Sequence, residues 1–278
     1  MHELVGLHSV ASVAPVAPAA PVAAVSPVAL VAPVGLVAHD RRGALRNAEP
    51  ANWSRSLSLT ERHLPFTRRT VHVGDVVQVA GHDFTSLQIV NSGVYKSVHR
   101  VADGREQVIG LHFKGDWIGF DGIASGRYAC DVVAMDTGEV WSLRYVVLLA
   151  EAAAVPALMY AMHTAMSMQL ARDRDARLAH FTLAADARVA DFVRCWAESL
   201  AQRGLRSDRF TLRMTRAEIG SYLGLTLETV SRAFGRLSRD GLIRFDDIGR
   251  RNIAVPSAEA LVEFIRGTVS PPEPRTLQ

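Results

Sequence analysis

Leu227-Glu228-Thr229-Val230-Ser231-Arg232 places a carboxylate, a hydroxyl and a guanidinium three and four residues apart, which is one face of a helix. Those groups suit the edges of base pairs. A guanidinium can bond guanine O6 and N7 together, a carboxylate can accept from a cytosine N4, and a hydroxyl serves a base or a phosphate. Glu228, Ser231 and Arg232 are therefore the candidate base readers. Arg236 and Arg239 follow one and two turns later, and Arg250 and Arg251 sit together farther on. With Thr226 and Thr229 they form the candidate phosphate contacts, which position a protein on a duplex without reading sequence.

Other chemistries lack their residues. No two glycines are separated by a single residue and neither lysine follows a glycine, so dinucleotide and Walker-type phosphate loops are absent. There is no Gly-x-Ser-x-Gly elbow, and no two of the ten histidines lie closer than six residues apart. Catalysis and a histidine metal site are not expected. Two cysteines, Cys130 and Cys195, cannot make a disulfide framework and fit a reducing, cytoplasmic compartment.

The elements that must position the base-reading residues are legible around them. Thr215 and Thr226 are placed to cap two short helices, and Gly224 stands in the turn between them, where a positive φ is needed. Ile219, Leu223, Leu225, Val230 and Ala233 supply the buried positions, with Gly220 small at the helix crossing. Leu242 to Phe245, a turn through Asp246 to Arg251, and Asn252 to Val255 follow as a hairpin with two arginines at its tip. The whole predicts a winged helix-turn-helix over 181–268, whose second helix enters a major groove by its N-terminal end. Thirteen arginines against nine acidic residues lie within 180–256, so the chain's net charge of +3 is concentrated in this segment.

Ahead of it, residues 70–143 alternate apolar and polar in short runs broken by Val73-Gly74-Asp75, Asn91-Ser92-Gly93, Lys114-Gly115-Asp116 and Thr137-Gly138. That pattern predicts an antiparallel jelly roll within 51–150. Between the two, the period becomes 3.6 from Val155-Pro156 onward, where proline suits a first helical turn. Met159, Met162, Met166 and Leu170 fall on one face of this helix (151–180) and predict a two-helix dimer seam. Asp173 continues that seam and would meet its symmetry mate. Residues 4–38 carry no Asp, Glu, Lys or Arg, and five prolines interrupt them. They read as a disordered, polyproline-like extension within 1–50 rather than a membrane span, and 269–278 as a disordered tail.

The β jelly roll, long helix and winged helix-turn-helix, an α+β arrangement, together resemble the CRP/FNR family of bacterial transcription factors. Thr215 to Gly235 is similar to the FNR branch, marked by Leu227 before Glu228-x-x-Ser231-Arg232. The resemblance implies a homodimer that binds a TTGAT-N4-ATCAA-like palindrome in double-stranded DNA and activates transcription. It also implies that Lys114, Gly115 and Asp116 touch RNA polymerase.

The family's known signal inputs do not carry over. The cyclic-nucleotide pattern needs Gly-Glu-Leu and Arg-Ser, where this chain has Gly119-Phe120-Asp121 and Ala129-Cys130, with Arg127 alone nearby. The iron-sulfur sensor needs four cysteines, and Trp141 stands at the β-domain position. Neither cofactor is expected. The alternative is a regulator whose β domain answers to an unidentified small molecule or to redox chemistry at a cysteine.

Overall fold

The computed structural model describes residues 60–101, 104–246 and 249–268. The expected N-terminal extension and C-terminal tail lie outside the described residues, as do Asp247 and Ile248 in the wing.

Eight strands precede the long helix: β1 (Thr67–Val71), β2 (Val76–Gln78), β3 (Ser86–Ser92), β4 (Tyr95–Arg100), β5 (Glu106–His112), β6 (Trp117–Ile118), β7 (Asp131–Ala134) and β8 (Gly138–Arg144). They pair antiparallel in two four-stranded sheets, β1-β8-β3-β6 and β2-β7-β4-β5. Alternation explains the layering. Val71, Val77, Val90, Tyr95, Ile118, Val132 and Val140 point between the sheets as one buried cluster. The opposite side of the first sheet buries Trp117 and Leu143 beneath helices. The Asn91-Ser92-Gly93 turn brings β3 back into β4, and Gly93 takes φ +87° there.

Helix α1 (Tyr145–Ala154) leads directly out of β8, and α2 (Pro156–Thr182) follows with Pro156 in its first turn. The sequence reading did not separate α1 from what precedes α2. Leu158 and Met162 are buried against the chain's own β domain, with Met159, Ala165 and Met166 packed alongside. Of the five residues read as a dimer seam, Met162 is thus taken up by its own chain, at 4 % exposed. Asp173, farther along the helix, is exposed. The uncovered face of α2 carries Tyr160, Leu170, Leu178 and Phe181, of which Phe181 is 87 % exposed. Of the predicted seam, Leu170 and Asp173 are exposed and Met159 and Met166 are partly exposed.

The C-terminal half begins with α3 (Ala185–Ala201) and β9 (Arg209–Thr211). It continues with α4 (Arg216–Leu223), α5 (Leu227–Arg239), β10 (Arg244–Phe245), β11 (Asn252–Ala254) and α6 (Ala258–Thr268). Its core joins Val193, Trp196, Ile219, Val230, Phe234, Leu237 and Ile253 to Val108, Phe113 and Met135 of the β domain. No described helix is long and apolar enough to cross a membrane.

Candidate nucleic-acid interface

Both helices of the central motif are capped as their threonines require. Thr215 Oγ1 accepts from the Glu218 amide (3.2 Å) while the Glu218 carboxylate reaches back to the Thr215 amide (2.7 Å), a reciprocal capping box. Thr226 Oγ1 accepts from the Thr229 amide (3.2 Å) and bonds the Thr229 hydroxyl (3.0 Å). Gly224 ends α4 at φ +64°. At Gly220 a Cβ would stand 2.6 Å from the Leu225 carbonyl oxygen, so the turn itself, rather than a crossing side chain, demands glycine.

Val230, Ala233, Phe234 and Leu237 bury one face of α5. Glu228, Ser231 and Arg232 are left exposed on the other face, toward the helix N-terminus. Arg232 also borders a cleft of about 440 Å³ between α5 and the wing, lined by Gly235, Arg236, Ser238, Arg239, Phe245 and Arg250. Four guanidiniums surround one open cleft, beside the helix end that exposes Glu228, Ser231 and Arg232, and supply the positive charge that a polyanionic backbone attracts.

The predicted phosphate residues differ in their freedom. Arg250 is exposed at the wing, its guanidinium 5.6 Å from the Phe245 ring. The Arg251 carbonyl accepts from the Leu212 amide (2.9 Å) and so holds the wing to the segment after β9. Arg239 is exposed and touches the Gly235 carbonyl (3.4 Å). Arg236 forms a two-pronged ion pair with Asp186 at the start of α3, with Nε 2.6 Å from the carboxylate. A phosphate must compete with Asp186 for it.

At the β-domain turn the expectation changes. Asp116 is 7 % exposed, and its Oδ1 accepts from Arg172 of α2 (2.8 Å) and Arg203 beyond α3 (2.8 Å). Its Oδ2 accepts from the Phe113 amide (2.9 Å). Burial raises its pKa, but the two guanidiniums and the amide outweigh burial and hold it below the usual carboxylate range. The polymerase role of Asp116 is corrected accordingly: the carboxylate is consumed inside the molecule, joining β domain, long helix and DNA-binding half. Lys114 and Gly115 stay half-exposed at the turn.

The same halves meet along strand β5. The Lys96 ammonium pairs with Glu218 at 2.5 Å, the Val108 amide donates to Ser221 Oγ (2.9 Å), and Phe113 stacks edge-on to Trp196 (5.1 Å). Sequence reasoning missed these partners. The one available signal was that Lys96 is one of only two lysines in the chain.

Inside the β domain, the residues do not fit a cyclic phosphate. Asp121 Oδ2 takes the Ala129 amide (2.8 Å), placing a carboxylate on a donor an anion would need. Arg127 is spent outside on the Gly81 carbonyl (2.7 Å) and Asp83 (3.2 Å). Cys130 is buried, and burial together with Asp121 pushes its thiol up to about 12, whereas Cys195 is exposed. Trp141 packs against Phe66 and under Arg68. Among the described residues no three His, Cys, Asp or Glu side chains converge as a metal site.

Comparison with known proteins agrees with this layout. A Crp-like helix-turn-helix domain matches residues 176–264, and a cyclic nucleotide-binding domain matches 68–153. The fumarate and nitrate reduction regulatory protein of Escherichia coli K12 is 33% identical over 197 residues, covering 71% of this chain and 78% of that protein. The corresponding regulator of Klebsiella oxytoca is 34% identical over 176 residues, 63% of this chain and 70% of its own. Among solved structures, FixK2 from Bradyrhizobium japonicum superposes with a TM-score of 0.63 at 25% identity, covering 72% of this chain and 97% of that one. The winged helix-turn-helix, the jelly roll and a relative a third identical over most of its length make the chain a DNA-binding transcription regulator of the CRP/FNR family.

Proposed function

We propose that the chain binds a TTGAT-N4-ATCAA-like palindrome as a cytoplasmic homodimer and activates transcription, one α5 helix reading each half-site. The observation that carries this reading is the joint exposure of Glu228, Ser231 and Arg232 at the N-terminal end of α5 beside the arginine cleft. Arg232 reads a guanine through two parallel bonds, Glu228 accepts from a cytosine, and Ser231 fixes the register. Arg236, Arg239, Arg250 and Arg251, with Thr226 and Thr229 at the helix start, hold the backbone. The free face of α2, with Tyr160, Leu170, Leu178 and Phe181, packs on the same face of a second copy. The turn at Lys114 and Gly115 contacts RNA polymerase, and the β domain works without an iron-sulfur cluster or cyclic AMP.

Fluorescence anisotropy with the palindrome and with a scrambled duplex tests the reading. Replacing Arg232→Ala should weaken binding to the palindrome by about 1–3 kcal/mol and leave the scrambled duplex nearly unaffected. Equal loss on both would reduce Arg232 to an electrostatic contact and remove the proposed readout.

A further inference from the structure

Arg216 opens α4. Its guanidinium lies 3.5 Å from the centre of the Phe234 ring and 5.6 Å from that of Phe245. Arg250 stands 5.6 Å from the same Phe245 ring, and Phe234 and Phe245 are 6.1 Å apart. Arg216 is thus wedged between the base-reading helix, which owns Phe234, and the wing, which owns Phe245. Its Nη2 also donates to the Arg250 carbonyl at 2.9 Å.

That carbonyl belongs to an unusual residue. Arg250 has φ +52°, the one described non-glycine residue in left-handed backbone, a conformation that a side chain with a Cβ adopts at a cost. A turn held in that conformation needs an anchor, and the charged hydrogen bond from Arg216 supplies one. We propose that Arg216 is a positioning residue for DNA binding: it clamps the wing to α5 so that Arg250 and Arg251 reach the phosphate backbone. The inference rests on the reading of the wing as a phosphate contact. Burial, reinforced by the nearby Arg250, lowers the Arg216 pKa to about 10, so the guanidinium stays charged at neutral pH. Its planar face is used on the rings and its edge on the carbonyl, which leaves a lysine unable to replace it.

The test compares full-length wild type with Arg216→Ala, Arg216→Lys, Arg250→Ala/Arg251→Ala and the triple alanine variant, on palindromic and scrambled duplexes across a salt series. Each phosphate contact contributes roughly 0.9 to the slope of log K against log salt. Arg216→Ala and Arg216→Lys should flatten the slope as much as the double wing variant does. The triple variant should lose nothing further, and the ratio of palindrome to scrambled affinity should persist, because the α5 base readers are untouched. A merely structural loss would lower affinity and that ratio together. A wild-type slope for both Arg216 variants overturns the clamp. Additional flattening in the triple variant also overturns it, by making Arg216 a phosphate contact itself. An unchanged slope in the Arg250→Ala/Arg251→Ala variant refutes the wing reading and the clamp with it. Should Arg216→Ala melt early, Arg216→Lys, which keeps the charge and the aliphatic stem, carries the comparison.

Discussion

Replacing Asp116 with asparagine separates two accounts of the β-domain turn. The carboxylate accepts from Arg172, Arg203 and the Phe113 amide, and both Asp116 and the Arg203 side chain are 7 % exposed. An asparagine is isosteric but neutral. It leaves the buried Arg203 without its counter-charge and turns an amide NH₂ toward groups that all donate. Removing one partner of a buried pair costs about 3–5 kcal/mol, which at roughly 2–4 °C per kcal/mol for a protein of this size lowers the melting temperature by about 6–20 °C. Urea unfolding of Asp116→Asn should show that loss, with weaker DNA binding because the acid ties both halves together. The acid limb should change too. A carboxylate whose folded pKa is depressed contributes stability above its unfolded pKa near 3.9, lost as pH falls through the folded value. Asp116→Asn should therefore flatten the stability profile below about pH 4. A variant with wild-type unfolding and wild-type DNA affinity that fails only in transcription would refute this reasoning and return Asp116 to the surface as a polymerase contact.

Three further outcomes are expected. His112 is buried with Nε2 2.6 Å from the Ser97 hydroxyl, and burial lowers its pKa to about 4. Folding thus favours the neutral ring; the contribution is full above about pH 6.5 and is lost as pH falls toward 4, so urea unfolding should show about 2 kcal/mol lost between pH 7 and 5, a loss that His112→Gln abolishes. If the wild type is the proposed dimer, sedimentation should find Phe181→Glu monomeric, since Phe181 is 87 % exposed on α2. Gly220→Ala should cost about 1–3 kcal/mol in thermal melts, because its Cβ would press on the Leu225 carbonyl, a backbone atom that cannot step aside.

The local grammar of the DNA-binding half was legible because each signal acts within a few residues. Thr215 and Thr226 cap the amides three positions on, and Gly224 supplies the left-handed turn whatever surrounds it. The methionine stripe was legible only in part. A 3.6-residue period identifies an apolar face but carries no information on what covers it, and here the chain's own β sheet takes Met162 where a second helix was expected. Long-range polar partners left no trace. Asp116 meets Arg172 and Arg203 across 56 and 87 residues, and Arg236 meets Asp186 across 50. In a chain with twenty-nine arginines, composition alone could not say which guanidinium a given carboxylate would take. Arg216 was hidden for the same reason, since its neighbours converge only when the wing folds back.

On the proposed reading, affinity and sequence preference rest on different contacts. The first helix of the motif, α4, is fastened to the β domain by Lys96 to Glu218 and by Ser221 to the edge of β5. Its orientation, and with it that of α5, follows the sheet. Glu228, Ser231 and Arg232 take no part in that docking and project from the exposed face of α5. In the proposed dimer, whatever shifts β5 or loosens Asp116 would therefore move the two α5 helices relative to the palindrome's spacing while leaving each helix's chemistry intact. Such a change would weaken both half-sites together without altering which bases are preferred, whereas substitutions on α5 would alter the preference at fixed geometry. On the proposed reading, the buried ion cluster between β domain, long helix and DNA-binding half would thus set how well the two helices fit one duplex, and the three α5 residues which duplex that is.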